Sequence, residues 1–206
     1  MIITDWKSRI LDIDKIMDIY ELMKETRPFD HVFAEIGFGP DRFFIDRAAA
    51  DQHDLYIGIE IKRKRVLKAD SKIQKQGLDN AFIIWGEARE TLNIFFPDNS
   101  LDGIYINFPD PYHKKRHFKR RLINGDFFEI AYKRLKQNSR MTIITDNEPY
   151  MEHILDTAKD FIRNDGVFME LNTGKGMPEN YPMTEFAVRE SKGKGAIQHL
   201  YATKGA

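Results

Sequence analysis

The chain has 206 residues, 42% hydrophobic and 31% charged, which is enough apolar material for one globular domain with a full core. It contains no cysteine, so disulfides, thiolate metal centres and a cysteine nucleophile are excluded; the charged N-terminus and the lack of an apolar run of spanning length exclude a signal peptide and a membrane span, and a cytoplasmic protein is expected. Basic and acidic residues balance at 32 each, yet residues 1–60 carry 7 basic and 13 acidic side chains while residues 61–121 carry 14 and 7, an asymmetry that points to a polyanionic partner.

Residues 12–26 space Ile13, Ile16, Met17, Tyr20 and Met23 at helical intervals and predict an amphipathic opening helix within an N-terminal segment over residues 1–30. Apolar runs then alternate with helical patterns. Strands are predicted over 31–37, 54–60, 80–85, 101–108 and 140–146, with helices over 41–51, 62–76, 87–93, 126–136 and 148–164. Two further strands, 166–172 and 196–204, flank a Gly-, Lys- and Pro-rich segment over 173–195 that reads as a substrate loop. Continuous apolar strands joined by helices mean a parallel sheet. The predicted fold class is therefore α/β: a Rossmann-like, seven-stranded, mostly parallel sheet with helices on both faces, in one domain.

Ligands of such sheets sit beyond the carboxyl ends of the strands, and here each of the first four strands brings an acid to or near that end: Glu35, Glu60, Glu87 and Asp110. Gly37 and Gly39 allow a tight turn and close approach of a ligand to the backbone. Glu60 suits both hydroxyls of a ribose; Glu87 suits an adenine amino group, with Ala88 leaving room for the ring. A dinucleotide site normally shows G-x-G-x-x-G to take a pyrophosphate, but Arg42 stands at the third position and the strand ends are acidic. S-adenosylmethionine, which carries a sulfonium and an ammonium and no phosphate, fits that charge better. Glu35 and Glu60 suit helix caps equally well.

Pro109 and Pro111 fix the backbone on either side of Asp110, which either aims its carboxylate or forms an Asx turn. Six cations follow, Lys114, Lys115, Arg116, Lys119, Arg120 and Arg121, with no acid between Tyr112 and Asn124. A phosphate backbone would satisfy them, and Tyr112, His113, His117 and Phe118 offer rings for bases. His113 and His117 have no third ligand and lie among cations, so no metal is expected. Lys62, Arg63, Lys64 and Arg65 form a second cluster at a helix start, where cations oppose the macrodipole. Asp146 suits either a substrate contact or the N-cap of the following helix.

The segments EIGFG, GIE, FPDPYHKKRH, KRR, TDNEPYMEHIL and PMTEF stand in the order, and near the spacing, of the bacterial tRNA (guanine-N7)-methyltransferases, and the chain resembles that family from about Ala34 to Thr203. The resemblance implies the seven-strand methyltransferase fold, S-adenosyl-L-methionine as methyl donor and tRNA as partner, with no membrane, and a monomer or homodimer. It implies that Glu35, Glu60, Glu87 and Asp110 match cofactor-contacting positions, with Asp110 also catalytic. It further implies that Lys114, Asp146 and the segment Thr184, Glu185, Phe186 and Ala187 contact tRNA, beside Lys115, Arg116, Arg120 and Arg121. The chain departs from the family pattern at Pro40 and Asp41, at Glu87 and at Ala187. The alternative reading is an RNA-binding protein on a methyltransferase scaffold that has lost catalysis.

Overall fold

Strands buried on both faces need helices on both sides, and β2 (Val32–Ile36) and β3 (Leu55–Glu60) are built that way, with β3 buried along its whole length. The computed structural model describes residues 10–11, 19–40, 43–165, 167, 169–179, 181 and 196–205. In chain order these form β1 (Ile10–Leu11), α1 (Ile19–Glu25), β2, α2 (Phe43–Ala50), β3, α3 (Arg63–Gln76), β4 (Ala81–Trp85), α4 (Ala88–Phe95) and β5 (Leu101–Asn107). A 3-10 turn (Lys115–Arg120), α5 (Gly125–Arg134), β6 (Leu135–Thr145), α6 (Glu148–Asp165), β7 (Met169–Lys175) and β8 (Gln198–Lys204) complete them.

One sheet runs in the order β1-β4-β3-β2-β5-β6-β8-β7. Strands β1 to β6 pair in parallel, and β8 lies antiparallel to both β6 and β7. The chain builds outward from β2 through β3 to β4, then returns to pair β5 with the other side of β2, so the direction of winding reverses between β2 and β5. Such a reversal opens a crevice at the carboxyl ends of the strands. Two apolar clusters lie on the two faces. Ile45 and Ala48 of α2 and Val66, Ala69 and Ile73 of α3 pack with Tyr56, Ala81 and Ile83. On the other face Phe95, Phe127, Phe128, Ile154 and Phe161 from α4, α5 and α6 pack with Ala34, Ile57, Ile104 and Ile143.

The predicted elements are present, with four differences, one being that β7 runs to Lys175, three residues into the segment predicted as a substrate loop. An eighth strand, Ile10–Leu11, pairs with Ile83 and Ile84 of β4; two residues carry no periodic signal. The opening helix is described over Ile19–Glu25, and residues 12–18 of the predicted span lie outside the described residues. Strand β6 starts at Leu135 rather than residue 140, inside the span predicted as helix. Leu135 is captured by pairing with Leu101, and Asn138, at φ 62°, accommodates a register shift between Leu101 and Gly103. The buried Lys204 ammonium fixes the same junction, donating to Leu135 O at 2.8 Å, Tyr132 O at 3.0 Å and Asn99 Oδ1 at 2.8 Å. No helix among the described residues is long and apolar enough to cross a membrane.

At the amino ends of β2 and β3, His31 Nδ1 lies 2.8 Å from Asp54 Oδ1. The hydrogen bond that the protonated ring donates to Asp54, reinforced by the charges of Asp54 and Asp102, raises the His31 pKa above 6.5 against a lesser cost of burial. A histidine whose folded pKa is raised stabilises the fold fully below its unfolded pKa, and that contribution fades as pH climbs through the folded value. Urea unfolding of the parent and of His31→Gln between pH 5.5 and 8.5 should therefore show a stability difference that is largest at the acid end and shrinks with rising pH.

Candidate active site

The crevice at the winding reversal is a cleft of about 460 Å³ lined by Gly37, Glu60, Lys62, Arg65, Glu87, Ala88, Arg89, Asp110, Tyr112 and Arg120, with Ile36, Ile59, Ile61 and Phe108 as apolar wall. Its volume lies within the roughly 300–1,000 Å³ range of small-ligand sites. Of the residues singled out in the sequence for the methyl donor, Gly37, Glu60, Glu87, Ala88 and Asp110 meet here. Gly37 and Gly39 hold φ of 67° and 63°, conformations that side chains with a Cβ seldom adopt; Gly39, expected at the ligand, is not among the lining residues.

The acids do more than line the cleft. Glu60 is buried; its Oε2 accepts from Gly39 N at 3.1 Å and Arg65 Nη1 at 3.0 Å, and its Oε1 from Lys62 N at 2.9 Å. It therefore pins the glycine turn to the start of α3 and presents a fixed acceptor at the cleft floor. Glu87 caps α4 through Oε2, which accepts from Arg89 N at 2.8 Å and Glu90 N at 3.1 Å, beside Ala88 at the first helical position. Glu35 is not among the lining residues. It is buried behind them, accepting from Phe44 N in the first turn of α2 at 3.1 Å and from Asn107 Nδ2 at 2.8 Å. The capping reading thus holds for Glu35, which lies behind the hollow, whereas Glu60 bonds Lys62 N without capping the first turn of α3 and shares the hollow with Glu87 and Asp110. The cleft is also not acid-rich, as the strand ends suggested: Lys62, Arg65, Arg89 and Arg120 line it too, because the turns after β3 and β5 and the start of α4 bring basic side chains to the same rim.

Asp110 is exposed at the mouth, and its Oδ1 accepts from Tyr112 N at 3.0 Å. The Asx turn is present, and Asp110 also lines the cleft. Phe108 and Tyr112, which bracket Pro109-Asp110-Pro111, have φ of 50° and 45°. Bulky residues in this region carry strain of order 1–3 kcal/mol each, so the surrounding contacts must hold the turn.

Arg121 makes the main one. It is not a surface cation, as the sequence suggested, but only 6% exposed. Its guanidinium lies 3.7 Å from the Phe118 ring centre and 4.7 Å from that of Tyr150, and Nε donates to Pro111 O at 2.9 Å. Arg89, from α4, donates in turn to the carbonyls of Arg121 and Leu122. Burial drives the Tyr150 pKa up to about 12 and keeps that phenol neutral beside the cation. Burial, followed by the Arg121 charge, lowers the pKa of the adjacent His153. The remaining cations, Lys114, Lys115, Arg116, Lys119 and Arg120, are exposed on the 3-10 turn or just before it, where none forms an ion pair with an acid among the described residues.

Asp146 follows β6, but Asn147 caps α6, its Oδ1 accepting from Tyr150 N at 2.9 Å; the capping role proposed for Asp146 falls to its neighbour. Thr184, Glu185, Phe186 and Ala187 lie outside the described residues, as does Asp41. Sequence reasoning missed Asn107 and Tyr181. The Tyr181 hydroxyl donates to Asn107 Oδ1 at 2.8 Å, and its ring stacks on Phe43 at 4.8 Å. Burial and then the Glu35 charge raise its pKa well above 10. Asn107 is the last residue of β5, directly before the FPDP segment, and that position was the available signal; Tyr181 carried none.

The architecture is the fold of solved α/β methyltransferases. A solved "antibiotic related Methyltransferase" superposes with a TM-score of 0.65 at 21% identity, covering 93% of this chain and 94% of that one. The 16S rRNA methyltransferase KamB superposes at 0.67 with 12% identity over 92% and 95%. Residues 30–200 match the family described as "Putative methyltransferase". Among named relatives, a tRNA (guanine-N(7)-)-methyltransferase of Pseudomonas aeruginosa strain UCBPP-PA14 is 35% identical over 198 residues, 90% of this chain and 79% of the relative. One of Francisella philomiragia subsp. philomiragia is 34% identical over 179 residues, 86% and 75% of the two chains. The chain belongs to the tRNA (guanine-N7)-methyltransferase family.

The buried position of Arg121 has a measurable consequence. Arg121→Met removes a charge-assisted hydrogen bond and two ring contacts, and should lower stability by about 2–3 kcal/mol in denaturant titrations. Because the side chain faces inward, the salt dependence of tRNA affinity should keep its slope in this variant.

Proposed function

We propose that this chain transfers a methyl group from S-adenosyl-L-methionine to N7 of a guanosine in the variable loop of tRNA, in the cytoplasm. The observation that carries the reading is Asp110, exposed at the mouth of the same cleft that Glu60 lines, followed by five exposed cations that form no ion pair among the described residues. The fit of the methyl donor rests on three features of this cleft: its size, the fixed carboxylate of Glu60 at its floor, and an apolar wall with Ile61 61% exposed. Glu60 would accept the ribose hydroxyls, Glu87 and Ala88 would border the adenine, and Gly37 and Gly39 would let the methionine part approach the backbone. Glu35, one layer behind, would hold Asn107 and the start of α2 in place rather than touch the donor directly.

When bound, the donor supplies a sulfonium methyl open to displacement by the in-plane lone pair of N7, which has no proton to lose. The protein's work is then alignment and charge. Asp110, held by its prolines and the Asx turn, would orient the base and stabilise the positive charge that the guanine ring acquires. Lys114, Lys115, Arg116 and Arg120 would take backbone phosphates. Asp146, free of the capping duty that Asn147 performs, would meet the donor edge of the guanine. Thr184, Glu185, Phe186 and Ala187 would contact the tRNA.

Two substitutions separate charge from geometry. Asp110→Asn keeps an acceptor for Tyr112 N and loses the charge; Asp110→Ala loses both. Methylation of an unmodified tRNA transcript, read by N7-specific strand cleavage, should fall about 10²–10³-fold in kcat for the alanine variant. The asparagine variant should fall by a large part of that, with tRNA affinity within a few-fold of the parent in both. Near-parental turnover by Asp110→Ala would remove Asp110 from the mechanism.

A further inference from the structure

Helix α3 holds six cations and one acid in 14 residues, in a chain of zero net charge. The acid, Asp70, is buried and accepts from Gln74 Nε2 at 2.7 Å. The helix has no acid in its first turn and no side-chain cap at Lys62; of its first-turn cations Arg65 pairs with Glu60 at 3.0 Å, while Lys64 opposes the macrodipole. At 100° per residue Lys64, Lys68 and Lys75 fall within about 40° of one another, opposite the buried Val66, Ala69 and Ile73, along about 16 Å of helix. Lys64 and Lys68 are one helical turn apart, a like-charge spacing that costs a few tenths of a kcal/mol. All three are exposed, and none has an acidic partner among the described residues. Lys62 and Arg65, at the start of the same helix, line the cleft. The stripe is thus a continuation of the cleft rim, on the side of the cleft away from the cationic 3-10 turn.

We infer that the Lys64–Lys68–Lys75 stripe is a second phosphate-binding surface, which holds a part of the tRNA beyond the region carrying the target base. This rests on the reading of the chain as a tRNA methyltransferase. RNA fits the stripe better than a membrane surface does. The helix exposes one large apolar side chain, Leu67, whereas an interfacial helix needs a broad apolar face. A line of cations with polar surroundings matches a phosphate backbone. The target base is read at the cleft, so the stripe contributes affinity and register rather than chemistry.

The test is the double variant Lys68→Glu/Lys75→Glu, whose positions lie away from the cleft and the core, with folding checked by circular dichroism. Binding of a 5′-labelled full-length tRNA transcript is measured by fluorescence anisotropy from 50 to 300 mM salt, and methylation of the same transcript in parallel. The expected result is a Kd raised about tenfold or more at low salt and a log Kd–log salt slope smaller by about two. The KM should rise with kcat unchanged. A short stem-loop carrying only the target guanosine and its flanks should be bound and methylated equally by parent and variant. An unchanged Kd and slope on full-length tRNA overturns the inference, as does a variant that loses binding to phosphatidylserine vesicles while its tRNA affinity stays parental. If the parent binds tRNA but does not methylate it, the functional reading fails instead, and the stripe still stands or falls on the anisotropy data.

Discussion

A single guanidinium holds the reactive rim together. Arg121, between the rings of Phe118 and Tyr150 and bonded to the carbonyl of Pro111, ties the Pro-Asp-Pro turn to the segment that carries the exposed cations and to α6. Without such a tie, a turn with two bulky residues at positive φ would relax, and Asp110 would leave the cleft mouth. Arg89 extends the tie to α4, whose cap is Glu87. The edge that carries Glu87 and the edge that carries Asp110 are therefore one mechanical unit, and its material is charged side chains turned inward.

The acids at the strand ends combine two tasks that compete in simpler reasoning. A carboxylate at a helix start can satisfy orphan backbone donors or greet a ligand. Glu60 and Glu87 do the first while standing at the wall of the cleft, since each carboxylate has more acceptor positions than its protein partners use. Glu35 stands behind the cleft, where it accepts from Phe44 N and Asn107 Nδ2. The ligand site is thus pre-ordered by the hydrogen bonds that start helices α2, α3 and α4, which lowers the ordering cost of binding.

The distribution of positive charge follows the topology. The turns after β3 and β5 lie on opposite sides of the β2 crevice, and both are basic, so an anion large enough to span the cleft meets cations on each side. A small ligand inside meets Glu60 and Glu87 together with Lys62, Arg65 and Arg89. The basic turns on either side explain how a chain of zero net charge presents a positive rim.

The alternation of apolar strands with amphipathic helices, the acids at successive strand ends, and the cations after Asp110 are all local patterns, and they were legible because burial and turn chemistry act on neighbours in the chain. Tertiary structure decided what depends on partners far apart in sequence. Arg121 reads as one more surface cation until Tyr150, 29 positions on, supplies its second ring. Asn107 and Tyr181 acquire roles only when the sheet brings them within hydrogen-bond distance across 74 residues. The strand Ile10–Leu11 exists only because β4 offers an unpaired edge. Residue type and spacing set which groups are charged and which segments fold regularly; whether a given charge faces water, a ring or a carbonyl is settled by long-range packing, because desolvation depends on every atom that surrounds it.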